Sequence, residues 1–175
     1  ELFLLDDADL ETWPLADRFF TTALHDLSGV TGYHHTTSDS ETYMLDVHEY
    51  VTAINEQETV MPSEASRTQQ VKDSLNRDGY DTLVAYLEQW ADTPEGDATQ
   101  VDDVWFDLGS LAAPDVVHPY RVHNEIRVFR NHDDLVPTNC ANGIDVRPGI
   151  DTVALLGYLN STVHAAFLEL WGQSE

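Results

Sequence analysis

The distribution of charge along the chain limits what kind of surface the folded protein has. The sequence has 32 Asp and Glu against 8 Lys and Arg, a formal net charge of −24 over 175 residues, and Lys72 is its only lysine. The acidic residues are interspersed with apolar ones, and the longest acidic runs are pairs such as Asp6-Asp7 and Asp133-Asp134. This pattern is typical of a solvated protein surface, whereas acidic tails and nucleic-acid mimics usually contain contiguous blocks of like charge. In molar salt the Debye length falls to about 3 Å, so carboxylates that would repel one another in dilute buffer are tolerated. Such a surface therefore indicates a halophilic protein.

The apolar content is sufficient for a folded core. Hydrophobic residues make up 42% of the chain and aromatic residues 10%, which excludes the disordered class despite the charge. No window approaches the roughly 18 to 20 uninterrupted apolar residues of a membrane span, and no basic segment precedes an apolar one at the N-terminus. We therefore expect a cytoplasmic protein with no membrane partner. The first residue is Glu1 instead of Met, which indicates a processed product or a piece of a longer protein.

The hydrophobic periodicity predicts an α+β fold. An apolar stripe at helical spacing runs from Tyr80 to Trp90, and Gly79 separates it from a more polar helix. Short strands are predicted at 43–47, 104–106, 116–117, 126–130 and 144–147, with turn residues between them. Asp151 is the predicted N-cap of one final helix that continues to Trp171. We expect a single domain over residues 1–175, in which helices flank a mostly antiparallel, twisted sheet.

Several classes of chemistry have no signature in the sequence. Cys140 is the only cysteine, which excludes an internal disulfide and any site built from several cysteines. The adjacent pair His34-His35 and the dipeptide His48-Glu49 lack the i, i+4 spacing of a zinc helix. No nucleophile elbow, dinucleotide fingerprint or Walker loop is present. We therefore predict no catalytic residue, no metal site and no cofactor in this segment.

One acidic pattern leaves a nuclease open as an alternative. Asp115, followed by Glu125-Ile126-Arg127, is similar to a signature in which two carboxylates hold a divalent ion beside a cationic group. Its last position is Arg127, and an arginine cannot lose a proton as a lysine could. The alternative depends on whether Asp115 and Glu125 converge on one ion.

Half of the cationic residues lie close together in sequence. Arg121, Arg127, Arg130 and Arg147 fall within 27 residues, although the composition as a whole disfavours positive charge. Arginine forms bidentate hydrogen bonds with guanine and with phosphate, and asparagine forms them with adenine. Arginines in an acidic protein also serve as structural ion-pair partners, so either role is compatible with the sequence.

A series of short motifs occurs between Asn124 and Trp171. Its segments are Arg127-Val128-Phe129-Arg130-Asn131, Val136-Pro137-Thr138-Asn139, Gly143-Ile144 and Ala154-Leu155-Leu156-Gly157-Tyr158-Leu159-Asn160-Ser161. This series resembles the target-recognition region of adenine-specific DNA methyltransferases, in which a strand R-x-x-x-N leads to P-T-N-x-x-x-G-I and then to a helix that begins L-L-x-x-L-N-S. Earlier segments of the chain occur in a similar order, so the resemblance spans most of the sequence.

The resemblance implies a DNA-reading segment of a restriction–modification enzyme. The family's S-adenosylmethionine loop and its N-P-P-[YF] motif are absent from these residues, so methyl transfer is expected from a separate catalytic domain on the N-terminal side, which would bind that cofactor. The implied partners are duplex DNA and that methylase domain. The implied DNA-binding residues are Arg121, Arg127, Arg130, Asn131, Asn139 and Arg147. A protein-interaction module without DNA binding is the second alternative, and it would expose an apolar patch instead of an arginine surface.

Overall fold

A computed structural model describes residues 2–27, 34–35, 42–57, 67–91, 93, 104–120 and 127–171. In chain order the strands are β1 (Leu4–Asp6), β2 (Phe20–Leu24), β3 (His34–His35), β4 (Thr42–Leu45), β5 (Val116–Pro119), β6 (Phe129–Asn131), β7 (Val136–Pro137) and β8 (Ala141–Ile144). The helices are α1 (Asp7–Thr12), α2 (His48–Gln57), α3 (Arg67–Arg77), α4 (Asp81–Ala91), α5 (Thr152–Leu159) and α6 (Thr162–Trp171), and Asp17–Phe19 form a 3-10 helix.

The chain divides into two compact units. Unit 1 consists of Glu1–Thr21 and Thr42–Leu111, and unit 2 consists of Thr22–Glu41 and Ala112–Glu175. Helices α1 to α4 belong to unit 1, and helices α5 and α6 belong to unit 2. The predicted α+β class is confirmed, and most of the strand pairs are antiparallel. The expectation of one domain over the whole chain stays a prediction.

Unit 1 is built around one large apolar core. Strands β1 and β4 pair antiparallel with Leu5 opposite Tyr43, and α1 begins at a capping box in which Asp6 and Asp9 each accept a hydrogen bond from the other's backbone N–H. The cluster's buried side chains come from β1 and β4 and the residues beside them, from Leu15 and Phe19, from α2, α3 and α4, and from the 104–106 segment. The described elements of unit 1 thus share one core.

The predicted boundary between α3 and α4 is confirmed. Gly79 adopts a φ of +86°, in the left-handed region that glycine populates without a Cβ penalty. After this turn, Leu83, Val84 and Leu87 of the predicted stripe are buried, and Trp90 packs against the same core while partly exposed. The predicted strand at 104–106 is wrong, because Val104, Trp105 and Phe106 form a buried turn in this core.

Unit 2 is built on a four-stranded sheet of order β3-β6-β5-β8. Strand β5 pairs antiparallel with β6 and β8, and β3 pairs parallel with β6. Val128 and Phe129 are both buried, but in different clusters: Val128 packs with Val116 and Leu159, and Phe129 packs with Val117 and Leu135. The sheet is therefore covered on both faces, and its strands are shifted from the predicted 126–130 and 144–147.

The C-terminal helical segment contains a correction to the sequence prediction. Asp151 caps α5 as predicted, since its side chain accepts hydrogen bonds from the backbone N–H groups of Val153 and Ala154. The predicted single helix to Trp171 is wrong, because α5 ends at Leu159 and α6 starts at Thr162 with a bend of 55° between them. Among the described helices, none is long and apolar enough by itself to cross a membrane, although α5 and α6 taken together meet that test.

Candidate functional site

The sheet of unit 2 brings two of the predicted DNA-binding arginines to one end. Arg130 lies opposite Val116, and Val116 lies opposite Ile144 on its other side. Because β5 runs antiparallel to both neighbours, the C-terminal ends of β6 and β8 meet at the start of β5. Arg130 is near the end of β6, and Arg147 follows β8 by three residues. The fold thus places at one sheet end two arginines that are 17 positions apart in sequence.

Both arginines are exposed, and neither forms an ion pair with a described residue. Within the described parts of the chain, no carboxylate approaches the guanidinium of Arg130 or Arg147 within 4.0 Å. Asp115 and Asp145 lie at the same sheet end, so this surface mixes cationic and acidic groups. The Asp115 carboxylate accepts a hydrogen bond of 2.7 Å from the backbone N–H of Val146. This bond ties the segment before β5 to the segment that carries Arg147.

The other predicted contact residues are spread over unit 2. Arg127 is exposed and precedes β6, at the opposite end of that strand from Arg130. Asn139 is exposed on the turn between β7 and β8. Arg121 lies outside the described residues. A DNA contact by Arg127, Asn139 or Arg121 stays a prediction.

Asn131 has a structural function that the sequence did not reveal. Its side chain is only 8% exposed. Its amide nitrogen donates to the carbonyls of Pro114 and Leu135, each at 2.9 Å, and its oxygen accepts from the backbone N–H of Leu135 at 3.0 Å. These bonds close the turn in which Asp134 adopts a φ of +52°. An amide committed to three backbone groups in this way is directed into unit 2, away from a base edge, and it positions the neighbouring Arg130.

Asn160 has a similar function at the end of α5. Its oxygen accepts from the backbone N–H of Val128 at 2.9 Å, and its nitrogen donates to the carbonyls of Val128 at 2.8 Å and Leu156 at 2.9 Å. The side chain pairs with Val128 as a strand neighbour would, and it fastens the helix end beside β6. Asn160-Ser161, the N-S of the L-L-x-x-L-N-S motif, therefore lies at the end of a helix in this structure.

The acidic pair of the nuclease alternative cannot be assembled from the described residues. Glu125 lies outside them, and Asp115 is engaged with the backbone of Val146. Among the described side chains, no group of three or more His, Cys, Asp and Glu is arranged to hold a metal ion. The nuclease alternative therefore gains no support from the geometry.

The structure brings together two histidines that the sequence analysis did not connect. His118 on β5 and His164 on α6 are 46 positions apart, and their Nε2 atoms lie 3.5 Å from each other. Burial and the nearby His118 lower the pKa of His164. No local spacing motif links the two residues, so only the packing of α6 could reveal the pair.

Unit 1 contains a second polar constellation, centred on His48. The Nδ1 atom of His48 is 3.1 Å from Asp107, and its Nε2 is 3.5 Å from the hydroxyl of Thr52 one helical turn away. Asp107 also accepts from the backbone N–H of Gly109 at 2.9 Å. These bonds connect α2 to the 107–109 segment. They hold the start of α2 against that segment.

A pocket of about 250 Å³ in unit 1 surrounds Arg18. The guanidinium of Arg18 lies over the rings of Phe19 at 5.4 Å and Tyr50 at 5.7 Å. Three carboxylates, those of Asp17, Asp46 and Glu49, also line the pocket. Because the carboxylates outnumber the single cation, an anionic ligand is disfavoured there.

Cys140 is a packing residue. Its thiol donates to the carbonyl of Leu24 at 3.2 Å, and burial raises its pKa. A thiol that is held protonated is a poor nucleophile.

The two bent helices α5 and α6 expose several large apolar side chains. Val153 is 69% exposed and Leu170 is 73% exposed, and no described side chain of α6 is buried. Acidic residues are sparse here, with only Asp151 and Glu169 between 150 and 170. We call this surface the hairpin face, and its exposed large side chains are Ile150, Val153, Tyr158, Val163, Phe167 and Leu170. Single exposed apolar residues are ordinary, but a concentration of six in 21 positions is typical of an interaction surface.

Comparisons with known proteins leave the family open. The chain matches no model of a known protein family, and no curated protein is significantly similar to it.

Proposed function

We propose that unit 2 is a duplex-DNA recognition unit that supplies sequence specificity to an adenine-specific DNA methyltransferase of a restriction–modification system. The observation that carries the proposal is the pair of exposed arginines at one sheet end, which have no acidic partner among the described residues, in a chain of net charge −24. Arginines that are retained without an acidic partner are available for phosphate or guanine. In this proposal the S-adenosylmethionine site and the catalytic groups belong to a separate methylase domain, and the protein is cytoplasmic.

The distribution of charge between the units supports the same assignment. Unit 1 has 21 acidic and four cationic residues, a net of −17, whereas unit 2 has 11 acidic and four cationic residues, a net of −7. All four arginines of the 121–147 cluster fall in unit 2. DNA binding draws on the release of counterions by cationic residues. Unit 2 is thus the less repulsive of the two units toward a polyanion.

Binding in high salt would depend on direct contacts. The counterion-release contribution is weak in molar salt, so affinity has to come from hydrogen bonds, shape and released water. The rigid placement of Arg130 supports such contacts, because Asn131 fixes the backbone beside it through three hydrogen bonds. Asp115 fixes the segment of Arg147 in a comparable way. Preorganised side chains lose less conformational freedom on binding.

The test is a salt titration of duplex binding with a matched control. We expect the double variant Arg130→Gln/Arg147→Gln to bind a mixed-sequence duplex more weakly than the wild type, and to lower the slope of log K against log salt by about one per arginine removed. Arg77→Gln is the control, since Arg77 is exposed on α3 of unit 1. An equal loss in the control variant, or no duplex binding by the wild type, would contradict the proposal.

A second experiment addresses specificity. In the full-length protein, removal of residues 112–175 should abolish site-specific adenine methylation while S-adenosylmethionine binding by the catalytic domain persists. Unchanged methylation without this segment would overturn the assignment.

The hairpin face favours a second candidate function, that of a protein-interaction module. Its six exposed apolar side chains are the feature expected for that alternative. The two candidates respond to different variants. Phe167→Ser/Leu170→Ser should abolish association with a protein partner and leave duplex binding intact, whereas Arg130→Gln/Arg147→Gln should do the reverse. An effect of the hairpin variant alone would favour the interaction module.

A further inference from the structure

The His118–His164 pair has a geometry that the DNA-reading proposal does not use. The two Nε2 atoms are 3.5 Å apart, and the ring planes are nearly perpendicular at 89°. His118 belongs to β5, in the middle of the sheet of unit 2, and His164 lies in the first turn of α6. The contact thus links the sheet to a helix that buries none of its described side chains.

The tautomer of His118 follows from its other ring nitrogen. Nδ1 lies 2.7 Å from the carbonyl oxygen of Pro119. A carbonyl oxygen only accepts, so Nδ1 carries the hydrogen, and in the neutral ring Nε2 has a free lone pair. Histidine ligands of metal ions commonly donate their second N–H to a backbone carbonyl, which fixes the ring and raises its basicity. The bond to Pro119 provides such support.

His164 is held in place in the first turn of α6. Its backbone is fixed by a hydrogen bond of 3.3 Å from its N–H to the hydroxyl of Ser161, which itself donates to the carbonyl of Tyr158.

The separation of the two nitrogens matches a shared metal ion better than a direct hydrogen bond. Hydrogen bonds from a ring N–H are usually about 2.7 to 3.2 Å long. Two imidazole nitrogens on one tetrahedral ion, each at about 2.05 Å, are about 3.4 Å apart. The observed 3.5 Å is close to that value.

We propose that His118 and His164 form a two-histidine site for a borderline divalent transition-metal ion, such as Zn²⁺, Ni²⁺ or Cu²⁺, bound through their Nε2 atoms. Imidazole nitrogen favours these ions over Mg²⁺ and Ca²⁺, which require oxygen ligands. Among the described residues, no third His, Cys, Asp or Glu is arranged to join them. The bound ion joins β5 to α6 and so fixes the position of the hairpin face relative to the sheet.

The experiment uses the complete chain with Ni²⁺ and Zn²⁺ as probes. Isothermal titration in molar KCl, with Mg²⁺ in excess to occupy the carboxylates, should show one site in the wild type. His118→Gln and His164→Gln should each weaken Ni²⁺ binding on the order of tenfold to a hundredfold, because each loses the chelate. The double variant should bind at least as weakly as either single variant, because it also loses the remaining histidine ligand.

The control is His25→Gln, which removes an exposed histidine of the same unit that lies outside the pair. We expect it to bind Ni²⁺ as the wild type does. Circular dichroism without metal verifies that each variant is folded. A Ni²⁺ affinity equal to that of the wild type in either His118→Gln or His164→Gln would overturn the proposal. A loss of the same size in His25→Gln would also overturn it.

A measurement on the wild type removes any dependence on the folding of variants. At substoichiometric Cu²⁺, paramagnetic broadening of the imidazole NMR signals should affect His118 and His164 before the other histidines. Broadening that starts at any other histidine would overturn the site.

Discussion

Unit 1 and unit 2 differ in what they do with their apolar side chains. The core of unit 1 is one cluster of 17 buried residues, whereas unit 2 contains two clusters of five and three. Of the eight large hydrophobic side chains that are exposed among the described residues, only Leu108 belongs to unit 1. Among the described residues, unit 1 thus buries or partly buries nearly all of its large apolar side chains, whereas unit 2 exposes seven of its own.

Polar groups compensate for the small cores of unit 2. The amides of Asn131 and Asn160 each make three hydrogen bonds to backbone groups. Unit 2 also contains seven of the eight histidines and the four clustered arginines. Most of the histidines and half of the cationic residues therefore lie in the unit with the smaller clusters. Unit 1 carries most of the negative charge, which is consistent with a solvated scaffold.

A pair of leucines provides the largest test of this difference. Leu87 is fully buried in unit 1 and Leu170 is 73% exposed in unit 2. Leu87→Ala should lower the free energy of unfolding by about 3 to 5 kcal/mol because it leaves a cavity, and Leu170→Ala should change it by less than about 0.5 kcal/mol. Urea unfolding in molar KCl measures both. A comparable loss for Leu170→Ala would show that the hairpin face is covered in the intact chain.

Asn160 tests whether amide bonds stabilise unit 2. Asn160→Ala removes the partners of the Val128 backbone, which should lower the free energy of unfolding by about 1 to 3 kcal/mol. Asn142→Ala is the control, because Asn142 is exposed on β8. Hydrogen exchange at the Val128 amide gives a local readout. Unchanged protection at this amide in Asn160→Ala would refute the interpretation.

Two glycines of unit 2 should respond to alanine with opposite signs. A Cβ on Gly143 would lie 2.8 Å from the Cβ and Cγ atoms of Pro114, whereas a Cβ on Gly157 would meet nothing within 4 Å. Gly143→Ala should destabilise by about 1 to 3 kcal/mol through overpacking. Gly157→Ala should stabilise by about 0.5 to 1 kcal/mol, because Gly157 is inside α5. Thermal unfolding of both variants checks the signs, and the same sign in both would contradict the packing.

The buried hydroxyl of Tyr86 should make the free energy of unfolding of unit 1 fall at alkaline pH. Its hydroxyl donates to the carbonyl of Leu2 at 2.6 Å, and burial together with Asp9 raises its pKa to about 12. Because the folded pKa exceeds the unfolded value of 10.0, the stabilisation is complete below pH 10 and is lost as the pH rises toward 12. Tyr86→Phe should lower the free energy of unfolding by about 1 kcal/mol at neutral pH. Between pH 10 and 12 the free energy of unfolding of the variant should fall less steeply than that of the wild type. Urea unfolding at pH 8 and pH 11 measures both, and an equal fall in the two proteins would exclude Tyr86 as the cause of the alkaline loss.

Local patterns identified those elements whose cause is local. The stripe from Tyr80 to Trp90, the glycine turn at Gly79 and the Asp151 cap were predictable, because periodicity, backbone freedom and capping depend on neighbouring residues. The break between α5 and α6 was not, since Leu159 to Thr162 has no proline or glycine and the helix end depends on hydrogen bonds from Asn160 to distant Val128. The 104–106 segment was misassigned for a similar reason: an apolar run of three residues can fill a core as a turn or as a strand.

The sequence by itself determined the acidic surface, the α+β class and the arginine cluster, because composition and short-range periodicity are properties of the chain. Only the tertiary structure decided which polar side chains are exposed and which are bonded inside the protein. Asn131 is turned inward, while Arg130 and Arg147 meet at one sheet end and His118 reaches His164. These outcomes depend on strand register and helix docking, which join residues 17 to 46 positions apart and leave no spacing signal in the sequence.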